Sequence, residues 1–300
     1  MVGLRKRVRQ SGFDAVFESI IYAALTFVAV TMIYPFLNVF AIAFSDYTAF
    51  IENPMRIIPK NFTVSSFTYV MTNSLILSSY RNTLIITVVG TIIAVGITIT
   101  TAYPLARRGM RGKKFFMNMI IITMLFSGGL IPEFYLIRSL GLIDNLWALI
   151  LPPLLSAYNV ILMKNFFQSI PDSLEEAARI DGASDLVILT RIFIPLSTAI
   201  IATISLFVAV GYWNSFFLAV IYIRDQGKWT LQLLLREIIS MANTALLNSG
   251  GNMAEVNVES LPRETIKYAT LIVVMVPILC VYPFLQRYFV KGTMIGAVKG

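Results

Sequence analysis

Long apolar stretches that lack Asp, Glu, Lys and Arg alternate along the chain with shorter polar segments. Six of these stretches can each hold a helix of about 17–25 residues, the length that crosses the hydrocarbon core of a bilayer. The stretches are Ser19–Ser45, Asn82–Ala106, Phe115–Pro132, Asn145–Met163, Ile192–Ile223 and Tyr268–Gln286. The pattern predicts an all-α membrane protein whose six transmembrane helices form a single domain over residues 1–300.

Composition supports a membrane protein and removes several chemistries. Hydrophobic residues make up 57% of the chain and charged residues 13%, whereas an ordinary soluble domain has about 25% charged residues. The chain has no histidine and one cysteine, Cys280, which excludes imidazole catalysis, thiolate metal clusters and an intramolecular disulfide. We therefore expect no catalytic residue, no metal site and no cofactor bound by this chain.

The distribution of Lys and Arg predicts the orientation. Fifteen of the 24 basic residues fall on one alternating set of segments, within residues 1–18, 107–114, 164–191 and 287–299. The positive-inside rule places these segments, and both termini, in the cytoplasm. The net charge of +8 then reflects topology rather than nucleic-acid binding. The first apolar stretch exceeds the roughly 7–15 residues of a signal-peptide core, so we expect it to be retained.

Two of the predicted spans carry sequences that interrupt helices. Ser127-Gly128-Gly129, followed by Pro132, should end the third helix early, and Pro152-Pro153 should kink or divide the fourth. Such breaks serve either helix packing or the lining of a pathway, and the sequence leaves both open. No span has an ionisable residue in its interior, which argues against a self-powered ion-coupled carrier.

Residues 169–191, between the fourth and fifth spans, have the pattern of a helical hairpin. Asp172 with Glu175, or Ser173 with Glu176, has capping-box spacing before a short helix over Leu174–Ile180. Gly182 suits a left-handed turn after that helix. Ser184 or Asp185 can cap a second helix that runs through Leu186 to Ile192 into the membrane. The cytoplasmic segment 164–191 has five acidic and three basic residues, a poor composition for lying on an anionic membrane surface.

This hairpin carries a family resemblance. Glu176-Ala177-Ala178-x-x-Asp181-Gly182-Ala183, followed by Ile194-Pro195, resembles the EAA loop of ABC-importer permeases. The resemblance implies that the hairpin docks in a cleft of a separate ATPase subunit. Glu176 would then be the acidic anchor, Ala177 and Ala178 the close-packed face and Gly182 the turn. The residues implied to couple to the ATPase are Glu175, Glu176, Ala177, Ala178, Arg179, Asp181, Gly182 and Ala183.

Two further stretches narrow the resemblance. Residues 211–217, Gly-Tyr-Trp-Asn-Ser-Phe-Phe, are similar to the W-N-x-F stretch of carbohydrate-importer permeases. The chain ends in a tail that resembles permeases related to the smaller membrane subunit of the maltose importer, where the tail lies between the ATPases. The tail residues are Gly296, Ala297, Val298, Lys299 and Gly300. The long external segment 224–266 resembles the branch that imports oligosaccharides and polysaccharide fragments, including uronate-containing ones.

The resemblance implies the type I ABC importer permease fold in a bacterial-type cytoplasmic membrane. It also implies a second, related permease, two ATPase subunits that bind ATP and Mg, and an extracytoplasmic solute-binding protein that delivers an oligosaccharide. The chain would form a translocation path with its partner permease and would not hydrolyse ATP itself.

Two weaker candidate sites follow from residue chemistry. Aromatic faces and amides that suit sugars occur at membrane depth at Tyr158, Asn159, Tyr212, Trp213 and Asn214, with Tyr222 nearby. Trp and Tyr near an interface are more often bilayer anchors, and an Asn at membrane depth can simply bridge helices. A glycine-rich turn in the external loop is expected to be mobile and, by resemblance, to contact the binding protein. It comprises Asn248, Ser249, Gly250, Gly251 and Asn252.

Two alternative functions remain at the sequence level. One keeps the importer class but changes the cargo to peptides, amino acids or inorganic anions. The other is an autonomous channel or secondary carrier, against which the charge-free spans and the hairpin argue.

Overall fold

The structure is a computed structural model that describes residues 12–248 and 264–280, with side chains described in residues 16–240 and 264–280. Within these residues all regular secondary structure is helical. In chain order the α-helices are α1 Gly12–Ala43, α2 Tyr47–Glu52, α3 Ser65–Thr72, α4 Ser74–Ala106, α5 Lys113–Leu125, α6 Leu130–Ser139, α7 Trp147–Ile150, α8 Ala157–Phe167, α9 Asp172–Ile180, α10 Asp185–Ile188, α11 Ile194–Leu196, α12 Thr198–Trp213, α13 Phe217–Tyr222, α14 Leu231–Asn248 and α15, residues 264–280.

Within the described residues, candidate membrane spans are fewer and more broken than the apolar pattern predicts, and the sixth predicted stretch extends past residue 280. In the described part of the chain, two helical segments are long and apolar enough to cross a bilayer alone, Val16–Ala43 and Ser74–Ala106. Two helix pairs reach the same length and composition together but are bent, α5 with α6 by 111° and Asp185–Leu196 with α12 by 83°. The described residues thus contain two to four candidate spans, and the count of six stays a prediction.

The predicted interruptions of the third and fourth spans are confirmed as breaks in the helices. Helix α5 ends at Leu125, and α6 begins directly after Gly129, whose φ of +85° is a backbone conformation that favours glycine. Pro132 lies in the first turn of α6, where its missing N–H has no helical partner to lose. Pro152 and Pro153 lie in the turn that separates α7 from α8.

The fifth predicted span differs from a single helix. A π-helical turn occupies Leu189–Phe193 and the chain bends sharply at Ser197, so the second arm of the hairpin does not run straight into α12. Pro195 lies just before the bend, and it lacks the N–H that a continuing helix would need. The second arm of the hairpin, predicted through Leu186 to Ile192, is helical, and the bend after it separates this arm from α12.

The segment 224–266 is also not the loop that its polar residues predict. Residues 231–248 form α14, which covers the first residue of the predicted mobile turn, and residues 264–266 are also helical, as part of α15. The error arose because Gln, Asn and Ser scattered through this segment hide a helical pattern in which Leu231, Leu234 and Leu235 are buried.

One compact unit comprises Met71–Asn243 and Val273–Gly300. In it, α4 packs against both α8 and α12. Gly90 of α4 allows the closest approach, because a Cβ atom there would lie 2.6 Å from the ring of Tyr212 on α12. Tyr212 is buried and its hydroxyl donates a hydrogen bond to the Ile150 carbonyl at 2.9 Å, which also ties α12 to α7.

The two ends of α4 hold different segments. In the third turn of α4, the Asn82 amide donates to the carbonyls of Gly227 and Trp229 at 2.8 and 3.2 Å. The last turn adjoins the hairpin of α9 and α10. A helix of 33 residues is about 50 Å long, so the segment at residues 224–231 and the hairpin are at opposite ends of a helix longer than the hydrocarbon core.

Near Asn82, Asp144 binds the segment that contains residues 222–228, and these contacts form what we call the Asp144 clasp. Asp144 has a φ of +60°, its backbone N–H donates to the Tyr222 carbonyl, and its side chain accepts the N–H groups of Arg224 and Asp225 at 3.1 and 3.0 Å. The Lys228 ammonium donates to the Asp144 carbonyl at 2.9 Å. The hydrogen bond from the Asp225 backbone is the largest influence, and with those of Arg224 and Lys228 it lowers the pKa of Asp144 despite the opposing effect of burial.

The second compact unit comprises Met1–Val70 and Thr244–Ile272. Residues 16–37 of α1 are exposed throughout, although most are apolar. At the end of α1 the Asn38 amide donates to the carbonyls of Pro54 and Arg56, both at 2.9 Å. Apolar exposure around a whole helix of this length suits a lipid environment or a protein partner.

Candidate functional site

The hairpin forms as the sequence pattern predicts, with Gly182 at its turn. Helix α9 ends at Ile180, and Gly182 follows with a φ of +79°. The Ala183 N–H then donates to the Ala178 carbonyl at 2.9 Å, and the Gly182 N–H donates to the Arg179 carbonyl at 3.0 Å. These bonds close the helix end through a left-handed residue, for which glycine is favoured because it lacks a Cβ atom.

The predicted capping box does not form. The residue that caps α9 is Pro171, which makes no side-chain cap bond, and the helix starts at Asp172 rather than Leu174. The Asp172 carboxylate instead pairs with Arg108 at 2.6 Å, and Glu175 pairs with Arg107 at 2.8 Å. The carboxylates bind arginines from another loop because a charged pair competes well with a local backbone bond.

A network of four charged side chains joins the hairpin to the end of α4. Arg107 contacts Glu175 at 2.8 Å and Asp185 at 2.9 Å, and Arg179 contacts the same two carboxylates at 3.0 and 2.7 Å. The side chains of Arg107 and Glu175 are 22% and 19% exposed. One arginine at the end of α4 therefore holds both arms of the hairpin, since Glu175 is on α9 and Asp185 is on α10.

The surroundings of Arg107 stabilise its charge. Its guanidinium lies 5.4 Å from the ring centre of Tyr103. Burial is the largest single influence and opposes the charge, but the hydrogen bond to Asp185 and the nearby charges outweigh it and raise the pKa of Arg107. Arg107 is not among the predicted site residues, because its partners Glu175 and Asp185 are distant in sequence and leave no local pattern around it. Its only signal was its place in a basic segment opposite an acidic one.

The outer face of the hairpin carries unpaired groups. Glu176 and Ala177 are exposed, and Glu176 forms no ion pair with the residues that the structure describes. Ile180 is 86% exposed and Leu186 69% exposed. Ala178 instead packs against the buried cluster around α4 and α8, so the two alanines predicted to share a face point to different surroundings. The exposed apolar residues Ile180 and Leu186 were not among the predicted contacts.

The remaining predicted coupling residues flank this face. Asp181 is exposed beside the turn and Ala183 is half-buried. A cavity of about 480 Å³ lies between the hairpin and the end of α4 and is lined by Arg107, Arg108 and Glu176, among others. The hairpin can therefore offer a partner the exposed carboxylates of Glu176 and Asp181, small side chains and two exposed apolar residues on a support that ion pairs hold to the end of α4.

Three of the five predicted cargo residues come together. Asn159, Tyr212 and Asn214 line a cavity of about 350 Å³ between α8, α12 and α13. Tyr158 does not line it and is 55% exposed. Trp213 does not line it either, because its buried ring packs edge to face on Tyr80 at 5.9 Å.

The other predicted contacts lie largely outside the described residues. The tail, residues 296–300, is outside them, as are residues 249–252 of the predicted binding-protein contact. Asn248 is the last residue of α14.

Comparison with known proteins assigns the family. The family model described as the binding-protein-dependent transport system inner membrane component matches residues 92–295. The polygalacturonan/rhamnogalacturonan transport system permease protein YtcP of Bacillus subtilis is 42% identical over 290 residues, covering 96% of this chain and 99% of that protein. Protein LplC of Bacillus subtilis is 43% identical over 272 residues, covering 91% of this chain and 90% of that protein.

Solved structures agree with the sequence comparisons. A crystal structure of a bacterial ABC transporter involved in import of the acidic polysaccharide alginate includes a chain with a TM-score of 0.85 and 33% identity. The match covers 94% of this chain and 99% of that one. A second match, from the alginate transporter bound to a pentasaccharide-loaded periplasmic protein, has a TM-score of 0.57 at 13% identity and supports the fold alone.

These comparisons confirm the all-α importer-permease fold and the permease function expected from the EAA-like hairpin, and they group the chain with transport permeases rather than enzymes. The chain belongs to the family of inner membrane components of binding-protein-dependent transport systems.

Proposed function

We propose that this chain is one permease subunit of an ABC importer for acidic oligosaccharides derived from polysaccharides. The names of its relatives support the cargo: one is a polygalacturonan/rhamnogalacturonan permease, and a solved transporter of the same fold imports alginate. Polygalacturonan and alginate are both polymers of sugar acids. The cargo arrives on an extracytoplasmic solute-binding protein, and a second, related permease completes the translocation path.

The hairpin of α9 and α10 is the contact for a partner ATPase. The observation that carries this proposal is the combination of an exposed face, Glu176, Ala177, Ile180 and Leu186, with a buried face held to α4 by Arg107. A segment that is anchored on one side and free on the other can transmit a partner's movement to the helices. ATP and Mg belong to the two ATPase subunits, so this chain carries no catalytic residue.

The chain lies in a bacterial-type cytoplasmic membrane with six spans and both termini in the cytoplasm. Contacts between loops support the alternation of sides. The loop at residues 107–114 meets the hairpin through Arg107 and Arg108, and the segment before α7 meets residues 224–228 through Asp144. Each pair belongs to one predicted face, and the two pairs lie at opposite ends of α4. The tail at residues 296–300 contacts the ATPases, and residues 248–252 contact the binding protein.

Site-specific photo-cross-linking tests the hairpin contact. A benzoylphenylalanine placed at Ile180 should capture the ATPase in native membranes, whereas the same group at Ile51, exposed on α2, should not. Failure of the Ile180 probe to capture an ATPase, or equal capture at both positions, would reject the proposed coupling role.

A further inference from the structure

The cavity between α8, α12 and α13 has the size and lining of a small-molecule site. Its volume of about 350 Å³ falls within the range of roughly 300–1,000 Å³ that ligand pockets occupy. Apolar walls are formed by Phe207, Phe216 and Phe217, and polar groups by Asn159, Asn214 and Ser215. Aromatic faces with a few amides and hydroxyls are suited to a sugar ring.

Several polar groups of the lining lack partners. The Ser215 hydroxyl oxygen is buried and has no hydrogen-bond partner among the described residues. Over the same residues the side-chain amide of Asn159 makes no hydrogen bond, while Asn214 uses only its oxygen, which accepts from Gln232 at 3.3 Å. Because buried polar groups are usually paired, the amide of Asn159 and the hydroxyl of Ser215 are available to a bound molecule or to water, and the exposed Asn214 has free N–H groups beside them.

An arginine side chain stacks on one of the aromatic residues that line the cavity. The guanidinium of Arg236, on α14, lies 4.9 Å from the ring centre of Phe216. Arg236 is exposed, and no carboxylate of the described residues forms an ion pair with it. Stacking on an aromatic face positions an arginine while leaving its N–H groups free to donate. Gln232, one turn earlier on α14, donates a hydrogen bond to the cavity residue Asn214 at 3.3 Å, so two side chains of α14 contact residues that line the cavity.

We propose that this cavity binds one sugar-acid unit of the cargo in transit, with Arg236 pairing to its carboxylate and Asn159, Asn214 and Ser215 bonding to its hydroxyls. The guanidinium fork matches a carboxylate in two parallel hydrogen bonds, which a neutral sugar cannot accept. The proposal rests on the proposed function, because it requires an acidic oligosaccharide as cargo.

The test uses the complete importer, with both permeases, the ATPases and the binding protein, in proteoliposomes. Labelled trigalacturonate is the probe. Arg236→Gln should lower uptake about tenfold, the effect of losing one charge-assisted pair, while Arg236→Lys should retain most of it. Stimulation of ATP hydrolysis by the loaded binding protein should stay unchanged in both. The matched control is Arg224→Gln, an exposed arginine of the same region that does not line the cavity and should transport normally.

The possible outcomes distinguish failure of the proposed subsite from failure of the proposed function, import of an acidic oligosaccharide. In the first outcome, the wild-type importer takes up trigalacturonate, and uptake by the Arg236→Gln variant is no lower than uptake by the wild type or by the Arg224→Gln variant. The subsite is then rejected, and the acidic cargo stands. If uptake and ATPase stimulation fall together in Arg236→Gln and Arg236→Lys does not restore them, Arg236 supports the fold and the subsite is again rejected. If the wild type imports no trigalacturonate, the acidic cargo itself is wrong and the subsite falls with it.

Discussion

Arg107 and Glu175 form a 2.8 Å ion pair that joins the first residue after α4 to the first turn of α9 in the hairpin. The pair is mostly shielded from solvent and is extended by Arg179 and Asp185. The pair therefore connects α4, the longest helix of its unit, directly to the hairpin that is proposed to contact the ATPase. Transport should therefore depend on a residue that lies outside the EAA-like motif.

Replacing Arg107 by Gln should uncouple the importer. Glu175 and Asp185 would then share only Arg179, and removing one partner of a shielded charge pair is much more disruptive than removing one of an exposed pair. We expect cargo imported per ATP hydrolysed to fall severalfold, measured in proteoliposomes with both rates recorded. Arg108→Gln is the control, because the Arg108 side chain is 89% exposed in its pair with Asp172. Equal coupling ratios in the two variants would contradict the role assigned to Arg107.

Replacing Gly182 by Ala should weaken attachment of the ATPase. A Cβ atom at a φ of +79° strains the turn by about 1–2 kcal/mol, which shifts α10 relative to α9 or frays the hairpin. The measurement is the amount of ATPase that co-purifies with the permease from membranes. Gly109→Ala provides the comparison, since Gly109 has open space around it and no positive φ. Normal co-purification of the Gly182 variant would show that the turn geometry is dispensable.

Replacing Gly90 by Ala should destabilise the packing of α4 on α12. The added Cβ would lie 2.6 Å from the Tyr212 ring, and overpacking of this kind costs about 1–3 kcal/mol. The melting temperature in detergent should fall, and a second substitution, Tyr212→Leu, should recover part of the loss. Gly96→Ala on the same helix meets no atom within 4 Å and should be neutral or stabilising. A Gly90 variant as stable as the Gly96 variant would contradict the close contact.

The Asp144 clasp should give a pH dependence on the acidic side. Because its pKa is lowered from the usual 3.8 in the folded chain, ionised Asp144 contributes stability in full above pH 3.8. That contribution is lost as the pH falls through the lower folded value. The melting temperature of the wild type should exceed that of Asp144→Asn at pH 5, and the gap should narrow below pH 3.8. Asn tolerates a positive φ, so the substitution tests the charge. A gap independent of pH would remove the electrostatic explanation, and Glu133→Gln, which breaks no ion pair in the described chain, should show little change.

Local sequence signals predicted local structure well. The Ser-Gly-Gly triplet ended α5, the two prolines separated α7 from α8, and Gly182 adopted the left-handed turn. These features depend on the conformational limits of glycine and proline, which act within a few residues. Two local predictions failed. The acidic residues of α9 pair with arginines of another loop and form no capping box, and polar residues scattered through α14 concealed its helical pattern.

The amino-acid sequence by itself determined that this is a helical membrane protein with an EAA-like hairpin, because apolar length, charge distribution and turn residues are all properties of contiguous chain. Only the tertiary structure decided that Arg107 holds both arms of that hairpin and that Asn159, Asn214 and Ser215 share a cavity beside Arg236. Pairing between distant residues depends on how helices cross and bend. Those angles are set by side chains from several helices packing together, and no single stretch of sequence records them.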